Sequence, residues 1–129
     1  MVPAYAPATR PPCIALAIHV AEAELRAAVQ PVLVEAGLSY GDYLLIEALR
    51  NVDGTTPASL ARHIRSPLGV VRFQVRGLVE AGYLEVDGEE VWLTPQAVAV
   101  HRRAAALGLT ASMGAALNQL HLEAGSLGD

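Results

Sequence analysis

The chain of 129 residues contains no lysine, so each of its fixed side-chain cations is one of nine arginines. It has one cysteine, Cys13, which excludes an internal disulfide and suits a reducing cytoplasm. Aromatic residues make up only 5% and charged residues 17%, the latter below the roughly 25% usual for soluble proteins. No uncharged apolar run reaches the roughly 18 residues needed to span a membrane. The apolar stretch Cys13 to Ala21 has no convincing basic segment before it. It runs straight into Glu22, Glu24 and Arg26, which reads as a helix start rather than a secretion signal. There is no glycine-rich phosphate loop, no nucleophile elbow and no paired-carboxylate pattern on an expected site, so the motifs support no enzyme activity and no cofactor. His19, His63, His101 and His121 share no metal-ligand spacing, and no metal is expected.

What is abundant is aliphatic. Hydrophobic residues reach 53%, and with so few aromatics the core must come from Ala, Leu and Val in closely packed helices. Such a chain carries more apolar surface than a small monomer easily buries, so a large subunit interface is expected. The length fits one domain, residues 1–129.

A second absence is local. No acidic residue occurs between Gly54 and Val79, yet this stretch holds Arg62, Arg65, Arg72 and Arg76 in a chain of net charge −4. Positive charge confined to one segment of an acidic protein suggests a surface that faces DNA.

Residues 1–11, with their prolines, read as an extended arm. Pro12 opens a helix to about Ala36, which Pro31 should kink or break and Gly37 should end. Its apolar positions are Ile14, Leu16, Ile18, Val20, Leu25, Val29, Val32 and Leu33. Ser39 with Asp42 three residues on predicts a capping box and a helix from Tyr40 to Asn51, its inward residues Tyr43, Leu44, Ile46, Leu49 and Leu45. Asp53-Gly54 predicts a turn. Thr56-Pro57 predicts a capped helix with Leu60, Ala61 and Ile64 on its apolar face. Ser66-Pro67 repeats that signal for a helix to about Ala81, with Val71, Val75, Leu78 and Val79 as its stripe and Gly82 after it. Alternation around Asp87-Gly88, from Tyr83 to Leu93, predicts a hairpin. Thr94-Pro95 starts a helix over roughly 95–107, which Gly108 interrupts, and a last helix covers about 110–124. The expected fold is mainly α: a winged helix-turn-helix over 39–94, flanked by dimerisation helices at 12–36 and 95–124, with one short hairpin as the wing.

These residues resemble the MarR-type (multiple antibiotic resistance) regulators. Gly37-Leu38-Ser39-Tyr40-Gly41-Asp42-Tyr43-Leu44-Leu45-Ile46 looks like their second helix, and Thr56-Pro57-Ala58-Ser59-Leu60-Ala61 like their third. Val71 to Leu84 looks like their recognition helix and its exit, and Val91-Trp92-Leu93-Thr94-Pro95 like the end of their wing. The resemblance covers about residues 13–107 and implies a homodimer that binds pseudo-palindromic DNA, often with a pocket for a small molecule. It also shows departures. The wing is short and acidic, with Glu85, Asp87, Glu89 and Glu90, and lacks the Asp-x-Arg element usual there. Gly69 stands where the family often has a polar base-reading residue, and Phe73 where arginine is common.

The candidate DNA-facing residues are Arg62, Arg65, Ser66, Leu68, Gly69, Arg72, Phe73 and Arg76. Arginine pairs with guanine or grips phosphate, and the Ser66 hydroxyl caps the helix or bonds a phosphate. Phe73 admits three readings: contact with thymine methyl groups, a protein-binding surface, or partial burial against the wing. By analogy alone, His19, Tyr40 and His101 are candidates to line a ligand pocket. The resulting expectation is a cytoplasmic homodimeric transcriptional regulator, a repressor, with the 67–81 helix in the major groove of double-stranded DNA. A small-molecule effector or a protein is a further partner, and no membrane contact is expected. The rivals are a winged-helix protein-interaction module with weak or no DNA binding, and the dimerisation domain of an enzyme such as a small-molecule methyltransferase.

Overall fold

The computed structural model describes residues 13–52 and 54–109. The arm 1–11, Pro12, Asp53, the 110–124 helix and His121 lie outside them. Helices α1 (Ile14–Ala36), α2 (Tyr40–Arg50), α3 (Pro57–Ile64) and α4 (Leu68–Glu80) come first, followed by strands β1 (Leu84–Asp87) and β2 (Glu90–Leu93). Residues 95–109 are helical and form α5. Among the described residues no helix is long and apolar enough to cross a membrane.

The helix ends follow local chemistry. Gly37 takes a left-handed φ of 72°, and the amides of Gly37 and Leu38 donate back to Val34 and Leu33, closing α1. Ser39 Oγ accepts from the Asp42 amide at 3.0 Å while Asp42 Oδ2 accepts from the Ser39 amide at 3.0 Å, the expected capping box. Thr56 Oγ1 accepts from the Ser59 amide at 3.2 Å with Pro57 behind it. Thr94 Oγ1 accepts from the Ala97 amide at 3.3 Å and donates to the Gly82 carbonyl at 2.7 Å, tying α5 to the end of α4.

Several expectations are corrected. Pro31 does not break α1, which runs on to Ala36. Val29, Val32 and Leu33 around it are buried in the core, and that packing outweighs one lost backbone hydrogen bond. Ser66 does not cap α4. The preceding residue, Arg65, sits in the left-handed region at φ 55°, and the Ser66 amide donates to the Ala61 carbonyl at 2.9 Å. Ser66 therefore helps to close α3, and Pro67 occupies the cap position of α4 with no side-chain bond. Leu44, expected inward, is 41% exposed, whereas Leu45 is buried with Tyr43, Ile46 and Leu49. Val79 is exposed as well. The hairpin loop is Gly88-Glu89, because Asp87 pairs with Glu90. Only Gly88 of those two has positive φ, as a type II′ turn requires. Gly108 does not interrupt α5. A Cβ there would lie 2.6 Å from Leu25 Cδ1 of α1, so glycine lets the two helices approach closely.

The core joins Leu33 of α1, Leu45 and Ile46 of α2, Leu60 of α3, Val71 of α4, Leu84 and Val91 of the hairpin, and Ala97 and Ala104 of α5. Each large aliphatic side chain buried there contributes about 1.5–3 kcal/mol. Tyr83 Oη donates to the Ala36 carbonyl at 2.8 Å and fixes the hairpin's start against the end of α1. The wing also gains a third segment, because Thr55 bridges Val91 with bonds of 2.7 and 3.4 Å. The amino half of α1 is different. Ile14, Leu16 and Ile18 are 62%, 59% and 63% exposed, and Leu107 and Leu109 of α5 are also open. Ile14, Leu16 and Ile18, on the expected apolar positions of α1, are not in the core.

Candidate nucleic-acid interface

The α3–α4 unit is a helix-turn-helix whose turn is built from Arg65, Ser66 and Pro67. Val71, Val75 and Leu78 bury one face of α4, which forces Arg72, Phe73 and Arg76 onto the other. Arg62, Arg65, Arg72 and Arg76 are all exposed. Among the described residues none of the four forms an ion pair; Arg62 Nη2 bonds only Ser59 Oγ, at 3.3 Å. Four guanidinium groups without carboxylate partners make a strongly cationic face. Leu68 and Gly69 lie at the exposed start of α4, Ser66 is half-buried, and Phe73 is 74% exposed. That exposure excludes the reading in which Phe73 packs against the wing.

Arg72 and Arg76 border a groove of about 600 Å³ between the start of α3, α4 and the wing. Val75, Val79, Val86 and Val91 supply its apolar wall, and Glu80 and Glu89 bring negative charge to its far side. The wing's Glu85, Asp87, Glu89 and Glu90 are exposed. Their carboxylates oppose close approach of any polyanion to the wing, so the cationic character of the face lies on its α3 side.

The pocket candidates separate. Tyr40 and His101 meet through Tyr43. Its ring centroid lies 6.1 Å from that of Tyr40 and 5.6 Å from that of His101, and the Arg26 guanidinium covers Tyr40 at 4.5 Å. Burial pushes the Tyr43 phenol up to about 12. Burial also lowers the His101 imidazole below its ordinary value, against the opposing pull of Glu47, whose Oε1 is 3.7 Å from His101 Nε2. His19 lies apart, on a shallow α1 groove with Val20, Ala23 and Glu24, and no contact joins it to that cluster among the described residues. The cluster joins α2 to α5, and the sequence signal for it was only the aromatic spacing of Tyr40 and Tyr43. The left-handed Arg65 and the Thr55 bridge left no signal in residue type at all.

No protein-family model matches the sequence, and no curated protein matches it. Solved structures do. A MarR family protein of Mycobacterium tuberculosis in complex with DNA superposes with a TM-score of 0.68 at 23% identity, covering 93% of this chain and all of that one. The M. tuberculosis MarR family protein with salicylic acid gives 0.60 at 24% identity over 90% of this chain and 94% of that one. Mutant MarR of E. coli with operator DNA gives 0.66 at 18% identity over 81% and 78%. With its helix order, two-stranded wing and flanking helices, the chain has the winged helix-turn-helix fold of these MarR family structures.

Proposed function

We propose that this protein is a DNA-binding transcriptional regulator, a repressor rather than an enzyme, that works as a homodimer with α4 in the major groove. One observation carries the reading: an acid-free helix-turn-helix presents Arg62, Arg65, Arg72 and Arg76 outward, none of them ion-paired among the described residues. Arg72 and Arg76 read bases or hold phosphate, Arg62 and Arg65 hold the backbone, and the first amides of α4, which no side chain caps, face a phosphate. The DNA complexes among the similar structures support the same reading.

The apolar amino half of α1, with Leu107 and Leu109 of α5, is the surface that a second copy covers. Two-fold symmetry then sets the paired α4 helices about 34 Å apart, one turn of DNA. The groove beside Arg72 and Arg76 is where a small effector competes with DNA or shifts the dimer between spacings. Support comes from its size and from the salicylic acid complex of a protein of this fold.

The test is a titration against the DNA upstream of the protein's own gene and a scrambled duplex, at two salt concentrations. Tighter binding to its own DNA, with a log–log salt slope reporting several phosphates, is expected. Arg72→Ala should weaken that binding by about 1–3 kcal/mol if the guanidinium reads a base. Equal and weak binding to both duplexes would overturn the reading in favour of the protein-interaction module.

A further inference from the structure

The exposed face of α4 holds little that can read a base by hydrogen bonding. Its outward side chains are Leu68, Val70, Arg72, Phe73, Arg76 and, at the far end, Val79 and Glu80. Gln74 is turned away: its amide nitrogen lies 3.2 Å from where a Cβ on Gly41 of α2 would stand. Arginine is thus the one donor on the part of α4 that enters a groove, and Phe73 is the most prominent group there.

Phe73 lies roughly 160° around the helix from the buried Val71, close to diametrically opposite the core. Its neighbours one turn before and one turn after are Gly69 and Gly77. Neither glycine is required by the fold. Both have ordinary negative φ, and a Cβ on either would meet nothing within 4 Å. Two glycines in the interior of one helix lower its stability relative to alanine without any compensating contact inside the chain. Their effect is to strip side chains from both sides of an exposed ring and leave the backbone bare there. That shape suits a surface which must be approached closely. The charge identifies the visitor: Phe73 and Gly77 border the start of α2 with Ser39 and Asp42 on one side, while Arg72 and Arg76, in a stretch with no carboxylate from Gly54 to Val79, make the other side fit a polyanion.

Resting on the DNA-binding reading above, we propose that Phe73 is a specificity residue that packs on thymine C5-methyl groups in the major groove, and that Gly69 and Gly77 let the α4 backbone approach the base edges around it. The methyl group is the one apolar mark in the major groove, and an aromatic side chain is suited to detect it. Guanine contacts by arginine then combine with methyl contacts by Phe73.

The test uses the full-length protein and the duplex it selects from a random-sequence pool, synthesised with thymine and again with deoxyuridine, which removes the methyl groups alone. Wild-type protein should bind the deoxyuridine duplex about fivefold or more weakly. Phe73→Ala should lose that discrimination and bind both duplexes alike. Gly69→Leu and Gly77→Leu should bind the thymine duplex more weakly while keeping the wild-type circular dichroism spectrum. Equal binding of both duplexes by wild type, with Phe73→Ala unimpaired and Arg72→Ala impaired, overturns this assignment and leaves the DNA-binding reading standing. Failure to enrich any duplex overturns both.

Discussion

Arg65 closes α3 and, in the proposed complex, would also hold the DNA backbone. Its left-handed φ of 55° ends α3, a conformation that costs a non-glycine residue about 1–2 kcal/mol. Glycine at this place gives back part of that through its freer unfolded chain, so Arg65→Gly should stabilise the fold by roughly 0.5–1 kcal/mol. It should also weaken DNA binding, since the guanidinium is lost. Thermal melting and a binding titration on the same variant separate the two effects; a melting point that falls would mean the backbone here is not strained. His101 carries a different residue-scale consequence. Its pKa is depressed in the fold, chiefly by burial, so the unfolded chain takes up the proton first. Stability is therefore full above about pH 6.5 and declines as pH falls below it toward the folded pKa. Glu47 and Arg50 act on it in opposite senses. His101→Phe, which keeps a ring beside Tyr43, should show a shallower loss of melting temperature between neutral and mildly acid pH. Parallel curves for the two proteins would assign the acid sensitivity to other groups.

At the scale of elements, the wing is held by more than its own hairpin. Gly54 has φ 63°, and a Cβ there would lie 2.3 Å from Trp92 Cζ2, inside a rigid ring. Gly54→Ala should cost about 1–3 kcal/mol and loosen the Thr55–Val91 bridge, which chemical denaturation and amide exchange at Val91 would register. Unchanged stability would show that Trp92, which is part-exposed, swings away freely. Most elements were legible in the sequence because their ends are written in short-range chemistry. Ser39 with Asp42, Thr56-Pro57, Thr94-Pro95, Gly37 and Gly82 each act over a few residues. The misreadings arose where tertiary context ruled. Ser66-Pro67 has the same letters as a cap, but the preceding left-handed residue shifts the frame by one. Leu44 and Leu45 are equally apolar, and only the packing of α2 decides which is buried. Gly108 reads as a breaker, whereas in the fold it is a contact point between α1 and α5. For the site, the cationic segment was plain from residue type alone. Helical phase also placed Phe73 off the core stripe, but its three readings were separated only by its exposure in the fold.

For the whole molecule, the exposed aliphatic face of α1 is the feature that a monomer in water leaves unsatisfied. Leu16→Glu should shift the protein toward monomers in sedimentation experiments and weaken operator binding, while leaving the α2–α5 core intact. A dimer that survives this change would place the interface elsewhere. The proposed joining of copies would have an effect on dose. If α4 must be presented twice on one duplex, the species that occupies the operator forms in proportion to the square of the free chain concentration wherever single chains predominate. A gene under such control then responds to a halving of protein level more steeply than to a halving of affinity. The row of aliphatic side chains at Ile14, Leu16 and Ile18 would in that way make synthesis and dilution at cell division part of the control circuit.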